Sequence, residues 1–197
     1  MRIIAGERRG HKFEGPDEDG TRPTSDLVRE SIFNILGDSI EDCTAVDLFA
    51  GTGGLGLEAL SRGALRADFV ELKRENVGLI KRNVATLRYE GRARVHPTDA
   101  HRWARSFVPE GDASMVVFVD PPYREYENHP TRVRRTLEIL MEKLPEGSTL
   151  VVESRKDLDA AILPEFTSWD LRRYGGTQVA ILTVERSATA DSPAPAE

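Results

Sequence analysis

The chain has 197 residues, 39% of them hydrophobic and 30% charged, enough for one α/β domain with an adequate core and a small appendage. No stretch approaches the ~20 apolar residues of a membrane span, no apolar signal core opens the chain, and the single Cys43 excludes an internal disulfide, so a cytoplasmic protein without a membrane partner is expected. The net charge of −6, taken alone, argues against a nucleic-acid partner, but the charge is unevenly spread.

Residues 1–12 hold Arg2, Arg8, Arg9 and Lys12 against Glu7 alone. That segment is too short to need four cations for solubility, which points to phosphate contact. Residues 2–5 and 10–14 read as a small hairpin around Gly6–Gly10. A polar loop with Gly15, Pro16, Asp17-Glu18-Asp19 and Gly20 follows, and Arg22-Pro23-Thr24 is expected to fold over a bound group as a lid. Thr24 or Ser25 should cap a helix that runs to Leu36 and ends at Gly37. Val28, Ile32, Ile35 and Leu36 share one face of it, while Arg29 and Glu30 look by composition like a surface pair.

From residue 44 the pattern alternates. Strands are predicted at 45–49, 67–71, 93–96, 115–119 and 149–153, and helices at 54–62, 74–88, 100–107 and 131–144. A final pair, 166–173 and 178–185, turns at Gly175-Gly176 as an antiparallel hairpin. Repeated βα units feed a mostly parallel sheet, which binds ligands at the C-terminal ends of its strands. Residues 72–105 carry nine Lys and Arg against three acids, most simply a solvated helix face. His11, His96, His101 and His129 show no metal-ligand spacing and are read as non-catalytic. Glu153 reads as a capping or salt-bridged carboxylate, and the tail 187–197, rich in Ala, Pro and Ser, as disordered.

Two motifs carry the chemistry. Gly51, Gly53 and Gly56 give a G-x-G-x-x-G spacing between a strand and a helix, and Glu71 ends the next strand. Glycines let a ligand approach the backbone and helix N–H groups, and the acid suits a ribose diol. Nicotinamide and flavin enzymes share that spacing, so it indicates only a nucleoside-containing cofactor. The second motif, Asp120-Pro121-Pro122-Tyr123, follows the apolar run Met115–Val119. It places a carboxylate, proline carbonyls and an aromatic ring on one rigid turn, suited to gripping a planar group that bears an amine.

Together, Asp47-x-Phe49-Ala50-Gly51-Thr52-Gly53, Glu71, Asp99-Ala100 and Asp120–Tyr123 resemble the S-adenosylmethionine-dependent amino-methyltransferases. The opening residues 1–12, the stretch Arg22–Leu36 and the closing Gly176-x-Gln178-Val179-Ala180 narrow this to the bacterial 16S rRNA guanine-N2 methyltransferases, over residues 1–186. Ser25, where Thr is commoner, and Tyr rather than Phe at 123 are the visible departures. The resemblance implies a Rossmann-like class I methyltransferase sheet with S-adenosyl-L-methionine as cofactor. It implies that the loop Asp47–Gly53 with Gly56 holds methionine, Gly53 leaving room for it, that Glu71 holds ribose, and that Asp99-Ala100 flanks adenine. Asp120 and Pro121 would hold the target amine while Tyr123 stacks on its base. It also gives Arg29 and Glu30 functional weight.

The implied organisation is an RNA-binding and lid segment at 1–37, a catalytic domain at 38–186 and the tail. The implied substrate is 16S rRNA in the 30S subunit or an assembly intermediate, met by a monomer. The alternatives are a DNA adenine-N6 methyltransferase, for whose usual recognition domain the chain has no room, a protein glutamine methyltransferase, and a non-catalytic RNA-binding assembly factor.

Overall fold

The computed structural model describes residues 1–15 and 25–185. The expected lid Arg22-Pro23-Thr24 and the tail lie outside the described residues. Seven strands form one sheet: β1 (Thr44–Leu48), β2 (Arg66–Glu71), β3 (Ala93–Pro97), β4 (Met115–Val119), β5 (Thr149–Arg155), β6 (Asp170–Tyr174) and β7 (Thr177–Thr183). Their order is β3-β2-β1-β4-β5-β7-β6, with β7 antiparallel to both its neighbours and the rest parallel. Every residue of the central β4 is buried, because helices cover both faces of a parallel sheet.

Alternate residues of each central strand feed two cores. Ala45, Phe69, Val116 and Phe118 pack beneath α1 (Asp26–Leu36), α2 (Gly54–Ser61) and α3 (Arg74–Thr86). Val46, Leu48, Val70, Val117 and Val119 face α4 (Ala100–Ser106), α5 (Tyr123–Asn128) and α6 (Pro130–Lys143). The order reverses between β1 and β4. Such a switch point opens a crevice at the carboxyl ends of the strands.

The first core includes Ile3 and Phe13, so the N-terminal segment packs into the same interior as α1 and α2. Its link is the fully buried carboxylate of Glu58, on α2, which accepts from Ile4 N at 2.9 Å, Ala5 N at 3.0 Å and Arg62 Nε at 2.8 Å. Gly6 is forced by the same contact: its φ is +82°, and a Cβ there would stand 1.8 Å from the Ser61 carbonyl oxygen.

Several expectations need correction. The N-terminal hairpin is present but shorter than expected: Ile3 N donates to His11 O at 3.0 Å, Gly10 N to Ile3 O at 2.9 Å and Phe13 N to Met1 O at 3.1 Å around the Arg2–Lys12 bridge, while the amides of Ile4 and Ala5 donate to Glu58. On α1, capped by Ser25 Oγ, Ile35 is exposed and Phe33 is buried instead, its ring 5.5 Å from that of Phe118. Arg29 is no surface residue; it is fully buried, while Glu30 is exposed. The turn at Asp120–Tyr123 continues directly into a short helix, α5, that the polar sequence did not announce. Strand β6 begins at Asp170 rather than 166, since Phe166–Ser168 form a 3₁₀ turn.

Candidate active site

A cavity of about 420 Å³ opens at the C-terminal ends of β1, β2, β4 and β5. It gathers Asp47, Phe49, Ala50, Gly51, Thr52, Glu71, Asp99, Ala100 and Asp120–Tyr123 from the sequence-derived set. These lie far apart in the chain and meet because each ends a strand or opens the following helix.

The loop after β1 is built for a close approach. Phe49 has φ +61°, a left-handed conformation that costs a bulky residue on the order of 1–3 kcal/mol, and its ring packs edge-on against His101 at 5.3 Å. Gly51, at φ +55°, donates its amide to Glu71 Oε2 at 2.8 Å, and Glu71 Oε1 accepts from Lys73 N at 2.7 Å. Each carboxylate oxygen has two lone pairs, so Glu71 keeps acceptor capacity for a diol. Asp47 Oδ2 accepts from Gly56 N at 2.9 Å, which pins the first turn of α2 to β1. Asp99 caps α4 through Arg102 N at 2.8 Å and pairs with Arg132 at 2.9 Å.

The other two glycines do different work from that expected. A Cβ on Gly53 would point to Phe69 at 3.2 Å, away from the cavity, so its φ of +82° serves the turn rather than making room for methionine. A Cβ on Gly56 would lie 2.3 Å from Phe69, so this glycine lets α2 sit against β2. Neither lines the cavity, whereas Gly51 and Gly54 do.

Burial dominates the electrostatics of Asp47. Removal from water, and secondarily the charge of Glu71, push its carboxyl up to about 7 against the amide of Gly56. A raised carboxyl favours the protonated fold, so this contribution to stability is full below the unfolded value near 3.8 and is lost as pH rises through about 7. Asp47→Asn should therefore flatten the decline of the melting temperature between pH 5 and pH 8. Parallel curves for the two proteins would rule this out.

At the other wall, the Asp120 amide approaches Leu48 O at 3.4 Å, and Pro122 O accepts from Glu125 N at 2.7 Å. The helix thus takes the Pro122 carbonyl, narrowing the expected pair of free proline acceptors to Pro121. Tyr126 anchors α5 by donating to Glu153 O at 2.6 Å; burial, then the charge of Asp120, hold its hydroxyl well above the usual range. Tyr123 stands half-open at the rim, with the Arg155 guanidinium 5.6 Å from its ring centre.

His101 backs Phe49 without lining the cavity. Thr136 Oγ1 donates to Arg132 O at 3.0 Å, so the Thr136 oxygen accepts from His101 Nδ1 at 2.6 Å, which leaves Nε2 facing Glu125 Oε2 at 3.9 Å. Burial, then Arg132, lower this imidazole and keep it neutral. Glu125 and Glu153 were not expected on the cavity wall, and Arg29, given functional weight by the resemblance alone, lines it too. Glu153 lies near the C-terminal end of β5, the position that signalled the other acids, and could have been found that way.

Of the basic N-terminal residues, Arg9 and Lys12 are exposed, Arg2 lies 3.5 Å from Asp26, and Arg8 is half-buried, 5.8 Å from the Tyr89 ring centre. Three of the nine cations in the second basic cluster are paired with acids: Arg82 meets Glu14, Arg92 meets Glu7 and Arg94 meets Glu110. Among the described residues no three His, Cys, Asp or Glu side chains converge on a metal position, and no helix is long and apolar enough to cross a membrane.

Residues 1–183 match the family described as Conserved hypothetical protein 95. The chain belongs to this family. It is 38% identical to ribosomal RNA small subunit methyltransferase D of Escherichia coli, over 98% of this chain and 94% of that one. A hypothetical protein of Thermus thermophilus has a similar structure at TM-score 0.76 and 28% identity, covering 93% of this chain and 99% of that one. An RNA methyltransferase from Salinibacter ruber in complex with S-adenosyl-L-homocysteine shares the fold at TM-score 0.62 and 19% identity, over 86% and 98% of the two chains. This member of the family is thus a methyltransferase with the class I fold expected from its sequence. The lining fits S-adenosyl-L-methionine, the cofactor of that fold: Glu71 keeps acceptor capacity, Asp99 and Ala100 line the wall, and a Cβ at Gly51 would meet nothing nearer than Phe49 O at 3.9 Å.

Proposed function

We propose that the chain transfers a methyl group to the exocyclic N2 amine of a guanine in 16S rRNA, acting as a monomer in the cytoplasm on the 30S subunit or an assembly intermediate. Likeness to the Escherichia coli small subunit methyltransferase along nearly the whole of both chains carries this reading. The choice of guanine follows the family resemblance, and Asp120–Tyr123 on the cavity wall supplies the chemistry an aromatic amine needs.

When bound, S-adenosylmethionine supplies a methyl group made electrophilic by its sulfonium. The chain's own residues prepare the acceptor. An aromatic amine is a poor nucleophile because its lone pair is delocalised into the ring. Asp120 accepts one amine N–H and the Pro121 carbonyl the other, which draws the nitrogen towards tetrahedral geometry. Asp120 then takes the proton that the nitrogen sheds. Orientation contributes through effective molarities of about 10⁵–10⁸ M, and proton acceptance adds about 10²–10⁴-fold. The base must leave its stack to reach this turn, and Tyr123 then holds it by its face. The N-terminal segment, with Arg9 and Lys12 exposed, offers few phosphate contacts. Such contacts weaken steeply with salt, which favours a structured ribonucleoprotein over free RNA.

Stacking of a base on an aromatic ring is worth roughly 1–3 kcal/mol. Tyr123→Ala should therefore lower kcat/KM by about 10–100-fold while Tyr123→Phe stays within a few-fold; equal losses would show that the hydroxyl, not the ring, matters.

The function is tested by incubating the protein with methyl-labelled S-adenosylmethionine, 30S particles lacking guanine-N2 methylation and duplex DNA, then digesting to nucleosides. Label in N2-methylguanosine is the expected result. Label in N6-methyladenine of the DNA would overturn the substrate, and cofactor binding without label in either would overturn the RNA reading.

A further inference from the structure

A carboxylate and a proline carbonyl that accept from an amine do not tell guanine from adenine or cytosine, which carry exocyclic amines too. The ring nitrogen beside the amine does. In guanine it bears a hydrogen, so N1–H and the N2 amine are donors side by side. In adenine N1 and cytosine N3 it is a bare acceptor. A base turned out of its stack is recognised along this edge.

A second carboxylate stands beside Asp120. Val119 and Val152 are partners in the parallel ladder of β4 and β5, so Asp120 and Glu153 follow them as neighbours. The two strands run about 4.8 Å apart. Glu153 is 7% exposed and lines the cavity, and its partner on β7, Val179, belongs to the core beneath α1. Its backbone is fixed by Tyr126, which donates to Glu153 O at 2.6 Å from the helix that the Asp120 turn opens into. After burial, the charges of Asp120 and then Glu153 bear on that one hydroxyl, so both acids lie around it.

Sheet order sets Glu153 apart from the cofactor wall. Glu71, Asp47, Asp120 and Glu153 stand on or just beyond the successive strands β2, β1, β4 and β5. The strands of Glu71 and Glu153 are therefore three spacings, about 14 Å, apart. Glu153 lies on the far side of Asp120 from the expected ribose acceptor.

We propose that Glu153 accepts guanine N1–H while Asp120 accepts from the N2 amine, so that two neighbouring carboxylates select guanine by its two neighbouring donors. The inference rests on the reading of the chain as a guanine-N2 methyltransferase and deepens it. Adenine or cytosine set with its amine on Asp120 would turn a bare ring nitrogen towards Glu153. An ionised carboxylate has no hydrogen to offer there, and a buried acceptor left facing another is costly. Glu153 acts on the choice of base and not on the transfer itself.

The test measures kcat/KM on 30S particles reconstituted with 16S rRNA in which the guanine labelled by the wild-type protein is kept or replaced. One replacement is 2-aminopurine, which has the same amine but no N1–H; the other is 6-thioguanine, which keeps N1–H and loses O6. The wild-type protein should prefer guanine over 2-aminopurine by roughly 10–100-fold, as for a good base contact, and accept 6-thioguanine within a few-fold. Glu153→Gln presents an amide that donates or accepts, and should bring guanine and 2-aminopurine within about threefold of each other. If Glu153→Gln slows both bases alike and keeps the preference, Glu153 is only structural and the proposal fails. Equal wild-type rates on guanine and 2-aminopurine, or loss of 6-thioguanine along with 2-aminopurine, would overturn it without any variant, so it stays falsifiable even if the variant does not fold. No label in guanine from the wild-type protein would remove the guanine reading itself, and this one with it.

Discussion

Asp120→Ala should abolish measurable methyl transfer, a loss of at least about 10³-fold in kcat, while S-adenosylmethionine affinity stays within about twofold. The loss combines proton acceptance, about 10²–10⁴-fold, with the positioning of the amine. Cofactor affinity should hold because Glu71, Gly51 and Asp99 line the cavity from other strand ends. Asp120→Asn separates the two contributions: an amide oxygen still accepts a hydrogen bond but does not take a proton at neutral pH, so its rate should fall between the two. Near-normal turnover in Asp120→Ala would remove Asp120 from the mechanism. A parallel collapse of cofactor affinity would make it a binding residue instead.

Glu58→Leu should be the most destabilising single change. It removes the acceptor for two backbone amides and Arg62 and strips a buried carboxylate that stands 3.7 Å from Arg29. Removing one partner of a buried ion pair costs about 3–5 kcal/mol. At about 2–4 °C per kcal/mol for a chain of this size, the melting temperature should fall by about 10 °C or more. The amides of Ile4 and Ala5 should also lose hydrogen-exchange protection before the strands do. A fall of less than about 2 °C would show that the N-terminal segment is held by Ile3 and Phe13 alone.

What the sequence made legible and what it hid divide along a physical line. Strand β4, a continuous apolar run, could only be a central strand, and the acids placed at predicted strand ends by spacing alone do line one cavity. Local pattern was enough for the central strands, whereas on α1 it put Ile35 in the core in place of Phe33. It was not enough for Arg29, because a charged residue on an amphipathic helix reads as surface unless its partner is known, and Glu58 comes from a different helix. The anchor of the N-terminal hairpin was hidden for the same reason: Ile4 and Ala5 give their amides to that same carboxylate, and no alternation in residues 1–14 records it. Gly53 and Gly56 were recognised by their spacing, but their duty was misassigned because Phe69 lies on β2, beyond the motif.

The two carboxylates that brace the glycine loop also determine what it refuses. In dinucleotide-binding proteins, the amides of such a loop and helix end are left to a pyrophosphate. Here Glu71 already occupies the Gly51 amide and Asp47 the Gly56 amide, at 2.8 and 2.9 Å. A diphosphate laid along the loop would find both donors engaged. The loop thus keeps the outline of a nucleotide-phosphate cradle while two of its amides are already spent. A cell rich in nicotinamide dinucleotides and nucleoside triphosphates would present this enzyme with few competitors, and neither NAD nor ATP should displace its cofactor at millimolar concentration.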